Sequence, residues 1–386
     1  MYERIILAIN ALLFDWSGFL DRFNPFHLMF LMWSVSIISL KTYPRVYLVD
    51  GMRDSWIAMI VSSILIFVIV FYLMKVWKLS EEKNFVKIYR IAFGETVGNI
   101  FIGLFVLTLF LILVESAGVE ADAMHNHMSI ETPKWYYGLF FVLPAVYVVR
   151  RKLGTIISIS IIGIILISIA GTNLGILTSG DKHIEYLFPI FENGVTKGFI
   201  MTILETLGLY GHFFIILPYL NYIEDKKNRL TIAVVIALIF VIQMEIVSTV
   251  GILMTFTIDR AITMNYPKLL QTQLVSFYQF FDFGELFVML QTLGGWLLKY
   301  CVSFYAILLI FKTYGLPIKK IKISIYILSA LVFVGTHFAI KNSFIFFRLL
   351  NAFQYVSLVN FVIIPFIAFV LLHIKIKLGL AKKGNS

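Results

Sequence analysis

The chain has 386 residues, of which 60% are apolar and only 14% are charged, and its formal net charge is +10. About a quarter of the residues of a typical soluble domain are charged, so this chain lacks the polar side chains that would cover a soluble surface. The composition excludes a soluble enzyme and a disordered chain. It also excludes a disulfide-stapled secreted domain, because Cys301 is the one cysteine.

Ten apolar runs, separated by polar connections, are long enough to cross a hydrocarbon layer of about 30 Å. The sequence therefore predicts an all-α polytopic membrane protein with about ten transmembrane helices. Their approximate ranges are 27–44, 55–76, 94–115, 134–150, 153–175, 198–222, 230–256, 283–312, 323–341 and 352–374. We interpret residues 1–26 as an N-terminal arm or interfacial segment, residues 27–378 as the transmembrane domain, and residues 379–386 as a cytoplasmic tail.

Lys and Arg are distributed unevenly between the two sides of the predicted membrane domain. With the N-terminus inside, 21 of the 32 basic residues lie in inside segments, 10 lie in outside segments, and Lys299 lies within a helix. Because cytoplasmic loops of membrane proteins accumulate Lys and Arg, this split predicts that both termini are cytoplasmic. The positive charge is then mainly a topology signal, so a nucleic-acid partner is not expected.

The two halves of the chain show matching irregularities. Predicted helix 1 ends at Pro44 and predicted helix 6 ends at Pro218, and each is followed by a polar break and a plain apolar helix. The connections that enter helices 3 and 8 both end in Phe-Gly-Glu, and the predicted topology puts them on opposite sides. This arrangement predicts two inverted five-helix repeats, 27–175 and 198–374. Helices 1 and 6 would be discontinuous, with a ligand site near the midplane.

The centres of predicted helices 1 and 6 contain residue types that suit such a site. Glycines let a ligand approach the backbone, but they also let two helices pack closely, and both interpretations stay open for helix 6. The hydroxyls of helix 1 either bind a ligand or bond to carbonyls of their own helix, which is the commoner outcome. The candidate ligand-binding residues are Ser36, Ile37, Ser39, Gly208, Tyr210, Gly211 and His212.

Three ionisable residues lie at predicted membrane depth, where each costs on the order of 3 kcal/mol. They are Glu205 in helix 6, Glu245 in helix 7 and Lys299 in helix 8. Lys299 is predicted to pair with Glu205 or Glu245, or to replace a coupling cation as a fixed positive charge. A purely structural ion pair is the alternative. Glu115 is assigned to a helix end, from which a side chain reaches the interface at little cost.

Other chemical signals are weak. His125 and His127 form a His-x-His pair in a predicted outside loop, and a solvated acidic loop is a commoner setting for such a pair than a metal site. The sequence contains no phosphate loop, nucleophile elbow or His-Glu-x-x-His motif. We therefore expect no enzymatic activity, no metal and no cofactor.

Three stretches resemble the membrane-embedded B subunit of the bacterial spore germinant receptor, a branch of the amino acid–polyamine–organocation transporter superfamily. The first is SLKTYP…DSWIAMIVSSI, over helices 1 and 2, and the second is ETPKWYYGLFFVLPAVYVVRRKLGT, over helices 4 and 5. The third runs from EYLFPIFENGVTKGF through ILPYL to YPKLLQTQLVSFYQFFDFGELFVMLQTLGGWLLKYCVSFYAILL. Together they cover most of the chain after residue 27.

The resemblance implies a nutrient-sensing role in the inner membrane of a dormant spore, on a ten-helix transporter-like fold. A germinant such as an amino acid would bind at the broken helices, on Ser36 to Ser39 and on Gly208 to His212. The implied partners are a membrane-anchored A subunit and a C-subunit lipoprotein, together with the lipid bilayer. The chain departs from the family in having no glycine in helix 1. It also has Gly208-Leu209 where many members carry Gly-Glu, with Glu205 one turn earlier.

Two other functions remain open at this stage. One is an amino-acid or cation symporter of the same superfamily, in which Lys299 or Glu205 takes part in proton coupling. The other is a scaffold that holds the A and C subunits around a vestigial pocket.

Overall fold

A computed structural model describes residues 23–224, 229–274 and 283–381. Most of the predicted N-terminal arm and most of the predicted C-terminal tail lie outside these residues. The described residues form helices joined by short connections. The α-helices are α1 (Pro25–Thr42), α2 (Arg45–Gly51), α3 (Ser55–Leu79), α4 (Phe85–Phe93), α5 (Glu95–His127), α6 (Lys134–Val149), α7 (Leu153–Leu177), α8 (Lys197–Tyr210), α9 (Leu230–Thr255), α10 (Ile258–Ala261), α11 (Pro267–Gln273), α12 (Phe283–Thr313), α13 (Ile318–Ala339), α14 (Ser343–Ser357) and α15 (Ile364–Lys377).

Eight helical segments of the described chain are long and apolar enough to cross a membrane. Two shorter apolar helices, Pro25–Ser39 and Lys134–Val149, supply the remaining two of the ten predicted spans. The outer faces of the helices carry large apolar side chains, and Val68, Phe140 and Phe338 are each more than 60% exposed. Such faces suit contact with lipid chains, and the prediction of an all-α polytopic membrane protein is confirmed.

The third predicted span is longer than the sequence suggested. Helix α5 continues to His127, so the polar segment after residue 115 is helical and is not a solvated loop. Glu115, Glu120 and Asp122 are all buried on this helix. The correction has a physical cause, because the carboxylates of Glu115 and Asp122 find partners on neighbouring helices and need no water.

The first predicted span is interrupted at Tyr43 and Pro44, beyond the serines of its centre. Pro44 has no backbone N–H and disfavours helical geometry at the preceding residue, and Tyr43 indeed leaves the helix with φ −127° and ψ 59°. The chain then re-enters a helix, α2, for two turns. Ser36 and Ser39 therefore lie in continuous helix, and the break lies just after them.

The sixth span changes its helix type at its centre. Helix α8 ends at Tyr210, and the chain continues as a 3₁₀-helix from Gly211 to Tyr222, named here the 3₁₀ segment. A 3₁₀-helix of this length is unusual because its hydrogen-bond geometry is poorer than that of an α-helix. The discontinuity predicted at Gly208 to His212 is present, as a change of winding at Gly211.

The packing of the two halves is matched as an inverted repeat requires. Helix α1, in the first span of the first half, packs against α9, the second span of the second half. Its counterpart α8, in the first span of the second half, packs against α3, the second span of the first half. Likewise α1 packs against α7, and α8 packs against α14. A π-helical segment, Leu358–Ile363, joins α14 to α15 and makes the tenth span irregular as well. The residue limits assigned to the two repeats stay a prediction.

Candidate ligand-binding centre

Lys299 lies on α12 with no exposed surface, and its ammonium forms an ion pair with a carboxylate of α5. The Nζ atom of Lys299 is 2.6 Å from Oε2 of Glu115. The prediction that Glu205 or Glu245 is this partner is wrong. Glu115 is only 3% exposed and lies within α5, so it does not reach the interface as a residue at a helix end would.

Helix α1 supplies two further groups to this ion pair. Ser39 donates a hydrogen bond of 3.2 Å to Oε1 of Glu115 and accepts one from Lys299. The hydroxyl of Tyr43, at the break after α1, donates to the same carboxylate oxygen. The Tyr43 ring stacks on Trp296, which also lies under the Lys299 ammonium at 5.0 Å. These rings exclude water and so strengthen the attraction between the charges.

His212, in the 3₁₀ segment, completes the shell of Lys299. Its Nδ1 atom is 3.3 Å from Lys299 Nζ, and its Nε2 atom is 3.3 Å from Ser357 Oγ. Because an ammonium only donates hydrogen bonds, Nδ1 accepts, and the ring proton belongs on Nε2, which donates to Ser357. Phe353 and Phe361 flank the imidazole ring.

We name Lys299, Glu115, Ser39, Tyr43 and His212 the central ion-pair group. These residues come from α1 and its break, from α5, from the 3₁₀ segment and from α12, and Ser357 connects them to the end of α14. The three protons of the ammonium are directed at Ser39, Glu115 and His212. The group therefore ties both discontinuous spans to the two helices α5 and α12, in a conformation that is closed to solvent.

The other predicted residues of span 1 take different positions. The Ser36 hydroxyl is buried and has no hydrogen-bond partner among the described residues. Ile37 lines a small cavity of about 20 Å³, together with Lys41 and Lys268. Ser39 is thus the residue of this stretch that joins the charged centre.

The predicted glycines of span 6 make close packing contacts. A Cβ atom on Gly208 would lie 2.2 Å from the backbone oxygen of Gln354, and one on Gly211 would lie 2.8 Å from Val362. Both glycines therefore let α8 and the 3₁₀ segment approach the tenth span, which is the packing interpretation left open by the sequence. Tyr210 bonds through its hydroxyl to Ser63 on α3, at 2.8 Å, and lies outside the central ion-pair group.

Glu205 lies on α8 and faces α14. One carboxylate oxygen accepts hydrogen bonds from Asn351 at 2.8 Å and from Tyr355 at 3.1 Å. The other oxygen is buried and has no hydrogen-bond partner among the described residues. Glu205 therefore joins the sixth and tenth spans, separately from Lys299.

Glu245 lies fully buried on α9, and neither carboxylate oxygen has a hydrogen-bond partner in the described part of the chain. The cation that acts on it electrostatically is Lys41, near the end of α1. We name Lys41, Glu245 and the nearby Lys268 of α11 the Lys41 cluster. Burial, together with the positive charges of Lys41 and Lys182, lowers the pKa of Lys268 to about 7.

The His-x-His pair lies at the end of α5. His125 bonds to the carbonyl oxygen of Thr132, and the His127 ring packs against Tyr266. In residues 23–224, 229–274 and 283–381, no group of three or more His, Cys, Asp or Glu side chains has a metal-binding arrangement.

Comparison with protein families decides where the chain belongs. A family model described as a spore germination protein matches residues 22–345. The chain belongs to the spore germination protein family. Its amino acid permease-like character agrees with the resemblance found in the three sequence stretches. A comparison with curated proteins finds no match.

Comparison with solved structures identifies a transporter of similar fold. It is Mhp1, a nucleobase-cation-symport-1 family transporter, in a closed conformation with bromovinylhydantoin bound. The match has a TM-score of 0.55 and 14% sequence identity, and it covers 86% of this chain and 75% of that one. At this identity the likeness concerns the fold. This spore germination protein thus has a fold similar to that of this transporter.

Proposed function

We propose that this spore germination protein is the nutrient-sensing B subunit of a spore germinant receptor. The germinant would bind where α1 and the 3₁₀ segment meet α5 and α12. The observation that carries the proposal is the buried central ion-pair group, at the two helix discontinuities of a transporter fold in a member of this family.

The chemistry of this centre suits a small zwitterion such as an amino acid. A ligand carboxylate can replace Glu115 beside Lys299, and a ligand ammonium can replace Lys299 beside Glu115. The exchange conserves charge pairing in a dry site, whereas leaving either residue alone would cost about 3–5 kcal/mol. Because the pair is closed to solvent, the ligand needs a conformation in which the pair has separated. A ligand that binds this conformation better shifts the population toward it.

His212 and Ser357 provide a path from the centre to the tenth span. Their hydrogen bond connects the 3₁₀ segment to the end of α14, where the π-helical segment begins. When Lys299 separates from Glu115, its positive charge is removed from beside Nδ1 of His212. The strength of the hydrogen bond between His212 and Ser357 then changes. We propose that the A subunit and the C-subunit lipoprotein receive the change. The complex would lie in the inner membrane of the spore, with both ends of this chain in the cytoplasm.

A double variant that neutralises the ion pair without creating a lone charge tests the proposal. Spores carrying Glu115→Gln with Lys299→Met should accumulate the subunit normally but fail to germinate with amino acids. The matched control is Asp122→Asn with Lys134→Met, which neutralises another ion pair, 2.5 Å apart, between the buried Asp122 of the same helix α5 and the partly buried Lys134 of α6. The control should keep its nutrient response. Normal germination of the first variant at a normal protein level would overturn the assignment of the site.

Active transport is the second candidate function. The chain of titratable groups from Glu115 through Lys299 to His212 could carry protons between helices that move, and the fold is that of a transporter. Uptake of labelled amino acids into proteoliposomes containing this chain alone, driven by a proton gradient, would support transport. Saturable binding without uptake would support the receptor.

A further inference from the structure

Two carboxylates meet where the first, sixth and tenth spans pack together, away from the central ion-pair group. Glu205 of α8 is fully buried, and its Oε2 atom has no hydrogen-bond partner among the described residues. The charged group that acts on it electrostatically is a second carboxylate, that of Asp50 near the end of α2, which lies within hydrogen-bonding range. Two adjacent negative charges repel each other, so the pair needs a group that compensates one of them.

The packing of α2 on α8 brings these two side chains together. A Cβ atom on Gly198 would collide with the backbone oxygen of Asp50, and the Thr202 hydroxyl donates a hydrogen bond of 3.0 Å to the carbonyl of Tyr47. Gly198, Thr202 and Glu205 have the spacing of a single helix face. The two helices therefore run antiparallel in contact. The Asp50 side chain leans toward the start of α2, which is the direction of Glu205.

The other oxygen of Glu205 is surrounded by hydrogen-bond donors. Oε1 accepts from the Asn351 amide at 2.8 Å and from the Tyr355 hydroxyl at 3.1 Å. The same amide lies 3.4 Å from the carbonyl oxygen of Val46, so its NH₂ group faces both acceptors. A calcium or magnesium ion takes about six or more oxygen ligands, whereas these neighbours present protons. The surroundings therefore favour a proton over a metal ion as the compensating group.

We propose that Glu205 and Asp50 share one proton, and that this proton holds α2 and α8 together in the closed conformation. Two carboxyl groups in one site retain a proton between them, because both cannot ionise without repulsion. Oε2 of Glu205 is the buried end of the shared hydrogen bond. Asp50 is half-buried and is the end at which the proton exchanges with solvent.

The neighbouring helices present few other titratable groups to the pair. Among the described residues, Tyr355 of α14 is the further titratable side chain that acts on Glu205. Helix α3 packs against both α2 and α8, and it faces α8 with the hydroxyl of Ser62. Just beyond α2, Arg53 pairs with Glu192 at 3.1 Å. The shared proton thus replaces a counter-ion that these helices do not supply.

Helix α14 connects the pair to the central ion-pair group. Tyr355 bonds to Glu205, and Ser357, two residues further along the chain, bonds to His212. A role of the proton in regulation rests on the proposed receptor function. When the pair loses its proton at higher pH, repulsion disfavours the closed conformation, so the nutrient opens the centre more easily.

The test counts protons on the purified full chain in detergent, from the pH dependence of its free energy of unfolding. Between about pH 5 and 7 the carboxyls of the unfolded chain are ionised, so the pair makes the folded chain bind one proton more, and stability falls as pH rises. Asp50→Asn replaces the shared proton with an amide donor, and Glu205→Gln does so from the other side. Each variant should lower the proton difference by one, and the double variant by no more than one.

The exposed carboxylate of Glu192 provides the matched control, and Glu192→Gln should leave the proton difference unchanged. If only Glu205→Gln changes it, Glu205 holds a proton without Asp50, and the shared site is overturned. If neither variant changes it, the pair holds no proton. Stabilisation by Na⁺, Ca²⁺ or Mg²⁺ at constant ionic strength that is lost in Asp50→Asn would show a metal site and overturn the proposal. If Glu205→Gln does not fold, Asp50→Asn still decides, because its loss of one proton requires Asp50 to take part.

Regulation is tested in spores. The nutrient concentration for half-maximal germination should fall as pH rises between about pH 6 and 8, by up to about tenfold per pH unit more with the original chain than with Asp50→Asn. An equal pH dependence of the two strains would overturn the regulatory role. Failure of both strains to respond to nutrients at any pH would overturn the receptor function, and the regulatory role with it. The proton count on the purified chain needs no nutrient and stands independently of that outcome.

Discussion

The central ion-pair group and the Lys41 cluster both involve the last turns of α1, but they satisfy their charges in different ways. Ser39 joins the first, where Glu115 accepts hydrogen bonds from a serine, a tyrosine and a lysine. Lys41 belongs to the second, where neither oxygen of Glu245 has a hydrogen-bond partner among the described residues. Two buried carboxylates near the same helix end therefore have opposite surroundings.

The difference teaches which charges fix the conformation. A buried charge that is fully hydrogen-bonded becomes expensive as soon as one partner is removed, so the central group stabilises the closed arrangement of α1, α5 and α12. A buried carboxylate without hydrogen bonds already carries its desolvation cost, and its removal loses little. We call the central ion-pair group the latch, because it holds these helices together. The Lys41 cluster is the place where an additional polar or cationic group would stabilise the protein most.

The largest effect is expected from breaking the latch on one side. Lys299→Met leaves the Glu115 carboxylate buried without its cation, which should destabilise the closed state by about 3–5 kcal/mol. The thermal unfolding midpoint of the purified chain in detergent measures this loss. The double variant with Glu115→Gln is the control and should recover most of the stability. An unchanged midpoint in Lys299→Met would show that the pair does not hold these helices together.

The spans were predictable from the sequence because a long apolar run with few charges is stable mainly as a helix that crosses the membrane. The extension of α5 beyond residue 115 was not predicted. Glu115, Glu120 and Asp122 suggested a solvated loop, whereas the segment around them contains no proline before Pro133 and has Ser116, Ala117 and Gly118 next to the first carboxylate. Two signals were available in the sequence. The small residues allow close packing of the helix, and the absence of a proline allows the helix to continue.

The partner of Lys299 could not be predicted in the same way. Glu115 is 184 residues away in the chain, and Ser39 is 260 residues away, so no local spacing brings them together. The sequence located the costly charge on α12, and only the packing of the two halves selects which carboxylate it meets. His212 was found because it neighbours a predicted glycine break, although the glycines themselves pack against the tenth span.

The next largest effect is expected where α8 packs against the tenth span. Gly208→Ala should destabilise the protein by about 1–3 kcal/mol, because a Cβ would lie 2.2 Å from a backbone oxygen of α14, the helix that ends at the His212 partner Ser357. Gly175→Ala on α7 is the matched control, since nothing lies within 4 Å of its Cβ position. The control should be neutral or gain up to about 1 kcal/mol from helix propensity. Equal midpoints for the two variants would contradict the packing role of Gly208.

A smaller effect should come from the Lys41 cluster alone, as a dependence of stability on pH. The pKa of Lys268 is lowered to about 7 by burial and by Lys41 and Lys182, so the folded protein releases this proton above pH 7 while the unfolded chain keeps it. The free energy of unfolding should therefore rise between about pH 7 and 10, by well under the limiting slope of about 1.4 kcal/mol per pH unit, because the side chain is partly exposed. Lys268→Met should flatten the rise in unfolding midpoint with pH, and an unaltered pH profile would contradict it.

The smallest effect on stability is expected from Glu245→Gln, and this substitution gives the most direct contrast with Glu115→Gln. Both remove one buried negative charge with almost no change of shape. At residue 115 the change leaves Lys299 without its counter-ion and should cost about 3–5 kcal/mol. At residue 245 no hydrogen bond to a described residue is lost, so the free energy of unfolding should change by less than about 1 kcal/mol in either direction. If the two variants lose equal stability, the distinction between a latch and an unsatisfied carboxylate is wrong. If Glu245→Gln keeps its stability but needs more nutrient to germinate, the unbonded carboxylate contributes to ligand recognition and not to holding the helices together.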